Sequence, residues 1–303
     1  MELHQLRYFV AVAETGNFTR AAERSHVTQP ALSQQILNLE REVGHKLFHR
    51  LGRKAVLTEA GNSFLERARR ILFEVENAAK ELSDHPALGR KITVGAVQTV
   101  MPFLITPLIA ECRERHPNLQ VEAREDFRSD LVRAVAEGEI DLAIVPLPVK
   151  DHHLSVETLF TEPLLLVVGK NHRIATRSEI SINDLAEETF ISLGDASSLA
   201  AQTRVFFGDH HFQPRIGYRC AQVATLKLFA SLGLGISILP QLARLPGDRD
   251  SLTYLRITGT APTRELAIVR HMQRYQSRGA EQFLGFLREH ARALQNPAPP
   301  PAG

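Results

Sequence analysis

Cysteine is scarce: the 303-residue chain contains two, Cys112 and Cys220. Two thiols cannot supply the framework of bridges that holds small secreted domains together, so a reducing compartment is expected. Long apolar runs are missing too. A stretch such as Pro163–Val168 falls far short of the roughly 18 residues that a membrane-spanning helix needs. The opening MELHQLRYFV has no basic stretch followed by an apolar core, so no signal peptide is expected and the cytoplasm is the expected location. Nor is there a large excess of one charge. The 36 Lys+Arg and 34 Asp+Glu leave +2, too little to demand a polyanionic partner. Enzyme fingerprints are likewise absent. Gly233-Leu-Gly235 has Ile238 where a dinucleotide motif needs its third glycine, and it precedes a strand instead of following one. No P-loop, nucleophile elbow or zinc-protease pattern occurs, so neither catalysis nor a cofactor is expected. Asp151-His152-His153 and Asp209-His210-His211 place adjacent residues in loops, not at the spacing that aligns two ligands on a helix face, so no metal site is expected.

What is present describes a folded, modular chain. Hydrophobic residues at 44% and charged residues at 23% give real cores, and the length suits two or three compact units. Residues 1–91 carry 14 Lys+Arg against 11 Asp+Glu, while the remainder carries 22 against 23. The weak positive bias marks the N-terminal end as the one facing a polyanion.

Leu3, Leu6, Phe9, Val10 and Ala13 recur at helical spacing. Gly16-Asn17 ends that helix, and Asn17 suits the cap of a second one over 18–24. Thr28 then suits the cap of a third, with Pro30 tolerated in its first turn. In this third helix Leu32, Ile36 and Leu39 share the inward face; Pro30, Ser33, Gln34 and Leu37 project from the other. KLFHRLGRKAVL at 46–57 reads as two short strands around a Gly52-Arg53 turn, and Thr58 as the cap of a long helix over 59–84. With few partners of its own, that helix is expected to pair with a second copy. His85–Gly89 reads as a linker.

Two short helices, a third and a basic hairpin make a winged helix-turn-helix, which sets its third helix in the major groove of double-stranded DNA. Gln29, Ser33 and Gln34, flanked by Thr28 and Pro30, are the groups available to base edges. Arg50, Arg53 and Lys54 on the wing suit phosphates or the minor groove, and Thr19 and Arg20 suit the backbone at a helix N-terminus. The competing reading is a three-helix interaction module with a merely solvated face.

From Lys91 the pattern becomes α/β, with strands expected at Ile92–Val97, Leu119–Glu125, Asp141–Val145, Leu164–Val168, Thr189–Ser192, Ile216–Cys220, Gly235–Leu239 and Leu266–Arg270. Helical patterns between most of them argue for mostly parallel sheets covered by helices. A last helix is expected over 277–294 and a Pro-rich, disordered tail over 296–303. The expected division is a DNA-binding domain at 1–58, a linker helix and hinge at 59–88, one lobe from 89–161 with 267–295, and a second lobe at 162–266. A two-lobed α/β domain takes its ligand in the crevice beyond the strand ends. Gln98 and Thr99 after the first strand, Arg128 after the second, Ser197 and Ser198 in a small-residue loop, and Thr225 at a helix start are the candidates. They suit a small carboxylate or other oxyanion. Thr99 equally suits a helix cap, and Arg128 a solvated surface position.

The residues from Phe18 to Gly61 carry a further signal. NFTRAAERSHVTQPALSQQILNLE, then GHKLFHR and LTEAG, resembles the N-terminal domain of LysR-type transcriptional regulators, and the resemblance runs to about residue 294. ITVGAVQTV, EGEIDLAIV and GLGISILP with Pro240 resemble that family's periplasmic-binding-protein-like effector domain. The resemblance implies a regulator, usually an activator, that binds an inverted-repeat DNA site. It also implies a tetramer of two dimers, a small-molecule effector and contact with RNA polymerase. VGAVQTVMPFLITPLI, FTEPLLLVV and LGDASSLAAQ resemble the OxyR-like, peroxide-sensing branch. That branch has a reactive cysteine where this chain has Ser198, and its partner cysteine falls at about Phe207. Serine is not a redox couple, so thiol peroxide sensing by that mechanism is excluded. Cys112 and Cys220 are expected to be buried structural residues. The alternative is a solute-binding protein whose N-terminal helices do not bind DNA.

Overall fold

The structure is a computed structural model and describes residues 1–51, 54–83, 90–177, 180–259 and 261–295. The Gly52-Arg53 turn, the linker at His85–Gly89 and the tail at 296–303 lie outside the described residues. The chain divides into two compact units, residues 1–85 and 86–303. Among the described residues no helix is long and apolar enough to cross a membrane.

The first unit contains α1 (Leu3–Thr15), α2 (Phe18–Arg24), α3 (Gln29–Val43), the antiparallel pair β1 (Phe48–Leu51) and β2 (Lys54–Leu57), and α4 (Glu59–Ser83). The ends follow from local chemistry. Gly16 at φ 60° stops α1, a backbone setting that glycine adopts without strain. Asn17 then accepts the Thr19 and Arg20 N–H groups at 2.8 and 3.2 Å, satisfying two free donors of α2. Thr28 stands at the cap of α3, but its hydroxyl makes no cap bond; Pro30 removes one of the donors instead. Thr58 accepts from the Gly61 N–H at 2.9 Å and donates to the Lys46 carbonyl at 2.7 Å, joining the start of α4 to the base of the wing. A Cβ on Gly61 would come within 2.1 Å of the Leu47 carbonyl oxygen, so this contact admits only glycine.

Leu32, Ile36 and Leu39 of α3 are fully buried in one core with Leu6, Phe9 and Val12 of α1, and Phe48 and Phe64 each lie 5.2 Å from Phe9, centroid to centroid. Beneath the wing, buried Glu40 accepts from the Leu47 and Phe48 N–H groups at 2.8 and 3.2 Å. One carboxylate thus supplies the acceptors for the backbone entering β1.

The second unit contains β3 (Arg90–Ala96), a π-helical turn at Met101–Ile105, α5 (Thr106–Arg115), β4 (Leu119–Glu125), α6 (Arg128–Ala136), β5 (Leu142–Pro146) and β6 (Leu154–Gly169). It continues with β7 (Thr189–Leu193), α7 (Ser198–Asp209), β8 (Arg215–Cys220), α8 (Val223–Ser231), β9 (Ser237–Pro240), β10 (Leu252–Leu255), β11 (Thr263–His271) and α9 (Arg278–Gln295). The main sheet runs β10-β6-β11-β5-β3-β4 with β9 also on β6, and β7 pairs with β8. Two apolar cores flank it. One gathers Ile92, Val94, Ile144, Phe283 and Leu287; the other gathers Leu166, Phe190, Leu226, Ile236 and Leu239.

The strands depart from the mostly parallel expectation. Among the described strand pairs of this unit, β3–β4, β3–β5 and β7–β8 are parallel, whereas β6 and β11 run antiparallel to their neighbours. The reason is that β6 is far longer than its apolar run. Its first part, Leu154–Pro163, pairs with β11, and its second part, from Leu164, pairs with β9 and β10. One strand leaves the first core and enters the second, and β11 returns beside it, which forces the opposite direction. The strand β10 was not anticipated from sequence.

Replacing Glu40 with alanine is expected to lower stability by about 1–3 kcal/mol, because two buried N–H groups lose their acceptor. Glu40→Gln keeps an acceptor oxygen and should recover most of that loss. Urea unfolding of both variants checks this, with a lowered midpoint and an unchanged slope as the expected result for Glu40→Ala.

Candidate nucleic-acid interface and ligand cleft

The outward side of α3 is polar for the same reason that its inward side is apolar. With Leu32, Ile36 and Leu39 fixed inward, Gln29, Pro30 and Gln34 are exposed, Ser33 and Leu37 are half-buried, and Thr28 is exposed at the cap. Gln34 donates to the Asn38 side-chain oxygen at 3.0 Å, which sets its amide along the helix. Thr19 and Arg20 are exposed at the start of α2, with their N–H groups already used by Asn17. Lys54 is exposed at the start of β2, Arg50 stands in β1, and Arg53 lies outside the described residues. The starts of α2 and α3 and Lys54 of β2 therefore expose hydroxyls, amides and cations.

In the second unit a buried cation dominates. Arg264 of β11 is 2% exposed, and all three of its donor nitrogens are engaged. Its Nε donates to Glu162 Oε1 at 2.9 Å, Nη2 lies 2.7 Å from the same oxygen, and Nη1 donates to Thr99 Oγ1 at 2.7 Å. The Thr99 carbonyl accepts a further bond from Nη2 at 3.2 Å, and Glu162 Oε2 accepts the Leu242 N–H at 2.6 Å. Burial pulls the guanidinium below its ordinary range, and the Glu162 carboxylate beside it pushes it back up. Glu162 and Arg264 are cross-strand partners at the point where β6 passes from one core to the other.

Beside this pair opens a recess of about 530 Å³ bordered by Leu147–Lys150, Gln202 of α7 and Thr263–Glu265. The first of these segments follows β5 and packs on the first core, while α7 belongs to the second. The Oε1 atom of Gln202 is buried without a hydrogen-bond partner, and Lys150 is exposed at the edge.

Of the residues expected to hold a ligand, Thr99 is brought to the centre but is buried and bonded to Arg264. Ser197 and Ser198 are buried at the start of α7, whereas Gln98, Arg128 and Thr225 are half-buried. Among the described residues no hydrogen bond joins Gln98, Arg128, Ser197, Ser198 and Thr225 to one another. Sequence reasoning missed Arg264, Glu162 and Gln202. The signal for Arg264 was its parity: it shares the face of Leu266 and Ile268 in β11, where a charge is out of place. Both cysteines are buried, Cys112 in α5 and Cys220 at the end of β8, and burial raises both thiols above their ordinary range.

Residues 3–62 match the family model described as bacterial regulatory helix-turn-helix protein, lysR family, and residues 86–292 match the LysR substrate binding domain. The chain is 33% identical over 273 residues to the DNA-binding transcriptional dual regulator OxyR of Escherichia coli K12, covering 89% of each chain. It is 32% identical over 295 residues to the hydrogen peroxide-inducible genes activator of Dickeya chrysanthemi, covering 96% of each. Among solved structures, a full-length OxyR variant from Pseudomonas aeruginosa superposes with a TM-score of 0.70 at 26% identity, covering 96% of this chain and 95% of that one. Full-length CbnR in complex with its target DNA gives 0.56 at 26% identity, covering 96% and 100%.

Arg264→Met leaves the Glu162 carboxylate buried and unpaired, and is expected to destabilise the second unit by about 3–5 kcal/mol. The double variant Glu162→Gln with Arg264→Met should cost clearly less than Arg264→Met alone. A double-mutant cycle in urea measures the difference.

Proposed function

Because the chain belongs to the LysR family of bacterial transcriptional regulators, with a helix-turn-helix domain and an effector-binding domain, we propose that it is an activator that binds an inverted-repeat site in the cytoplasm. The observation that carries this reading is the polar outer face of α3, held outward by the buried Leu32, Ile36 and Leu39. Gln29, Ser33 and Gln34 read base edges in the major groove, with Thr28 and Pro30 packed against the groove wall. Thr19, Arg20, Arg50, Arg53 and Lys54 hold phosphates or the minor groove. The similar protein CbnR is known in complex with its target DNA, which supports this mode of binding. Dimerisation runs through α4, where Ile71 and Leu82 are 38% and 85% exposed in the single chain, and two dimers form a tetramer that contacts RNA polymerase.

A small, anionic effector occupies the recess beside Gln202 and Arg264. There the Gln202 oxygen accepts from the ligand and Lys150 supplies the free charge, since Glu162 already neutralises Arg264. Residues 89–161 with 267–295 and residues 162–266 act as the two lobes, with Thr99, Ser197, Ser198, Gln98, Arg128 and Thr225 around the ligand path. An effector that prefers one setting of the lobes shifts DNA binding by a coupling energy of about 1–3 kcal/mol.

Selection of bound genomic fragments with purified protein tests this reading. A palindromic motif is the expected result, and no enriched sequence would favour a ligand-binding protein without a DNA partner. Gln29→Ala should relax preference at its base by about 1–3 kcal/mol. If the ranking of sites stayed the same, α3 would not be the reading helix. Lys54→Ala should instead weaken binding to all sequences and reduce the salt slope by about 1.

Peroxide offers a separate check. With Ser198 at the position of the reactive cysteine and both thiols buried, treatment should leave DNA affinity unchanged in gel-shift titrations. A shift would assign a redox role to Cys112 or Cys220.

A further inference from the structure

A second cavity, of about 300 Å³, lies between α7 and the β7–β8 pair and shares no residue with the recess beside Arg264. Protein interiors are packed as tightly as organic crystals, and an apolar void of about 150 Å³ already accommodates benzene. The space here reaches the lower end of small-molecule sites, about 300–1,000 Å³.

Its walls define what fits. Phe190, Phe207 and Phe212 form an aromatic cluster, with ring centroids 5.3 Å apart for Phe190–Phe207 and 5.2 Å for Phe207–Phe212. Ile238 of β9 closes another side. Such a surface takes a flat apolar body. The mouth is charged. Asp195 and Arg204 neutralise each other at 2.8 Å, whereas Arg219, exposed near the end of β8, has no ion pair or hydrogen bond among the described residues. The lining therefore holds one uncompensated positive charge beside an aromatic pocket.

We propose that this cavity is a second small-molecule site, for an aromatic monoanion whose ring lies against Phe190, Phe207 and Phe212 and whose acid group pairs with Arg219. The helix α7 borders both spaces. Leu199, Thr203 and Phe207 face this cavity, and Gln202 faces the recess. A ligand that resets α7 here alters the position of the Gln202 acceptor there, and by linkage the recess ligand acts back on this site to the same degree. The inference goes beyond the regulatory reading and is measured by ligand binding alone, so it stands or falls independently of DNA recognition.

Naphthoate is the probe, titrated calorimetrically into the full-length protein, with uncharged naphthamide as its companion. One saturable site per chain is expected, with naphthamide at least about tenfold weaker because the charged bond to Arg219 is lost. Arg219→Gln should bring naphthoate down to the naphthamide level. Thr203→Phe, which fills the cavity, should abolish binding. Non-saturable binding, or retention of the site in folded Thr203→Phe, would overturn the proposal. Should Thr203→Phe fail to fold, the exposed Arg219→Gln decides: equal naphthoate affinity in that variant and the parent rejects the site.

Discussion

A guanidinium with almost no exposure, bonded to one carboxylate and one threonine, sits where two strands pass between two cores. Removing both ions from water costs several kcal/mol each, and the cost is offset only when every donor and acceptor finds a partner. Arg264 meets that condition through Glu162 and Thr99, and Glu162 through the Leu242 N–H as well. The pairing favours one register of β6 against β11, since a slip of one residue would put Glu162 and Arg264 on opposite faces. The recess, with the unpartnered Gln202 oxygen at its edge, is bordered by the same guanidinium.

The N-terminal unit uses the same device at lower stakes. Glu40, also buried, gathers two backbone N–H groups at the entry to the wing, and Asn17 gathers two at the start of α2. These carboxylate and amide acceptors fix loops that have few apolar contacts of their own. The consequence is that the side chains of α3 not needed for packing are held in a fixed frame. Recognition of base edges requires such a frame, because each contact depends on donor and acceptor positions and not on area.

Likeness to the hydrogen peroxide-inducible genes activator of Dickeya chrysanthemi extends over most of the chain. A hydroxyl at Ser198 has neither the acidity nor the redox couple of a thiolate. Both thiols that remain are enclosed in the cores, where burial favours the neutral form. The fold is shared with these relatives, and function resides in sites carried by a scaffold.

Helices and their ends were legible from sequence because they depend on residues within four positions of one another. Leu32, Ile36 and Leu39 declared the inward face of α3, Asn17 and Thr58 declared two caps, and the motif from Phe18 to Gly61 declared the module. Most strands were legible as apolar runs, but their directions were not, since pairing is settled by partners far away in the chain. Arg264 lies 102 residues from Glu162 and 165 from Thr99, and no local pattern links them. The two cavities are bordered by segments equally remote from one another, and empty space has no residue of its own to announce it. Sequence by itself thus determined the local elements and the polar outer face of α3, because short-range sterics and periodicity suffice for them. The buried ion pair, the antiparallel crossing and the two cavities were decided only by tertiary structure, because each is a relation between distant residues.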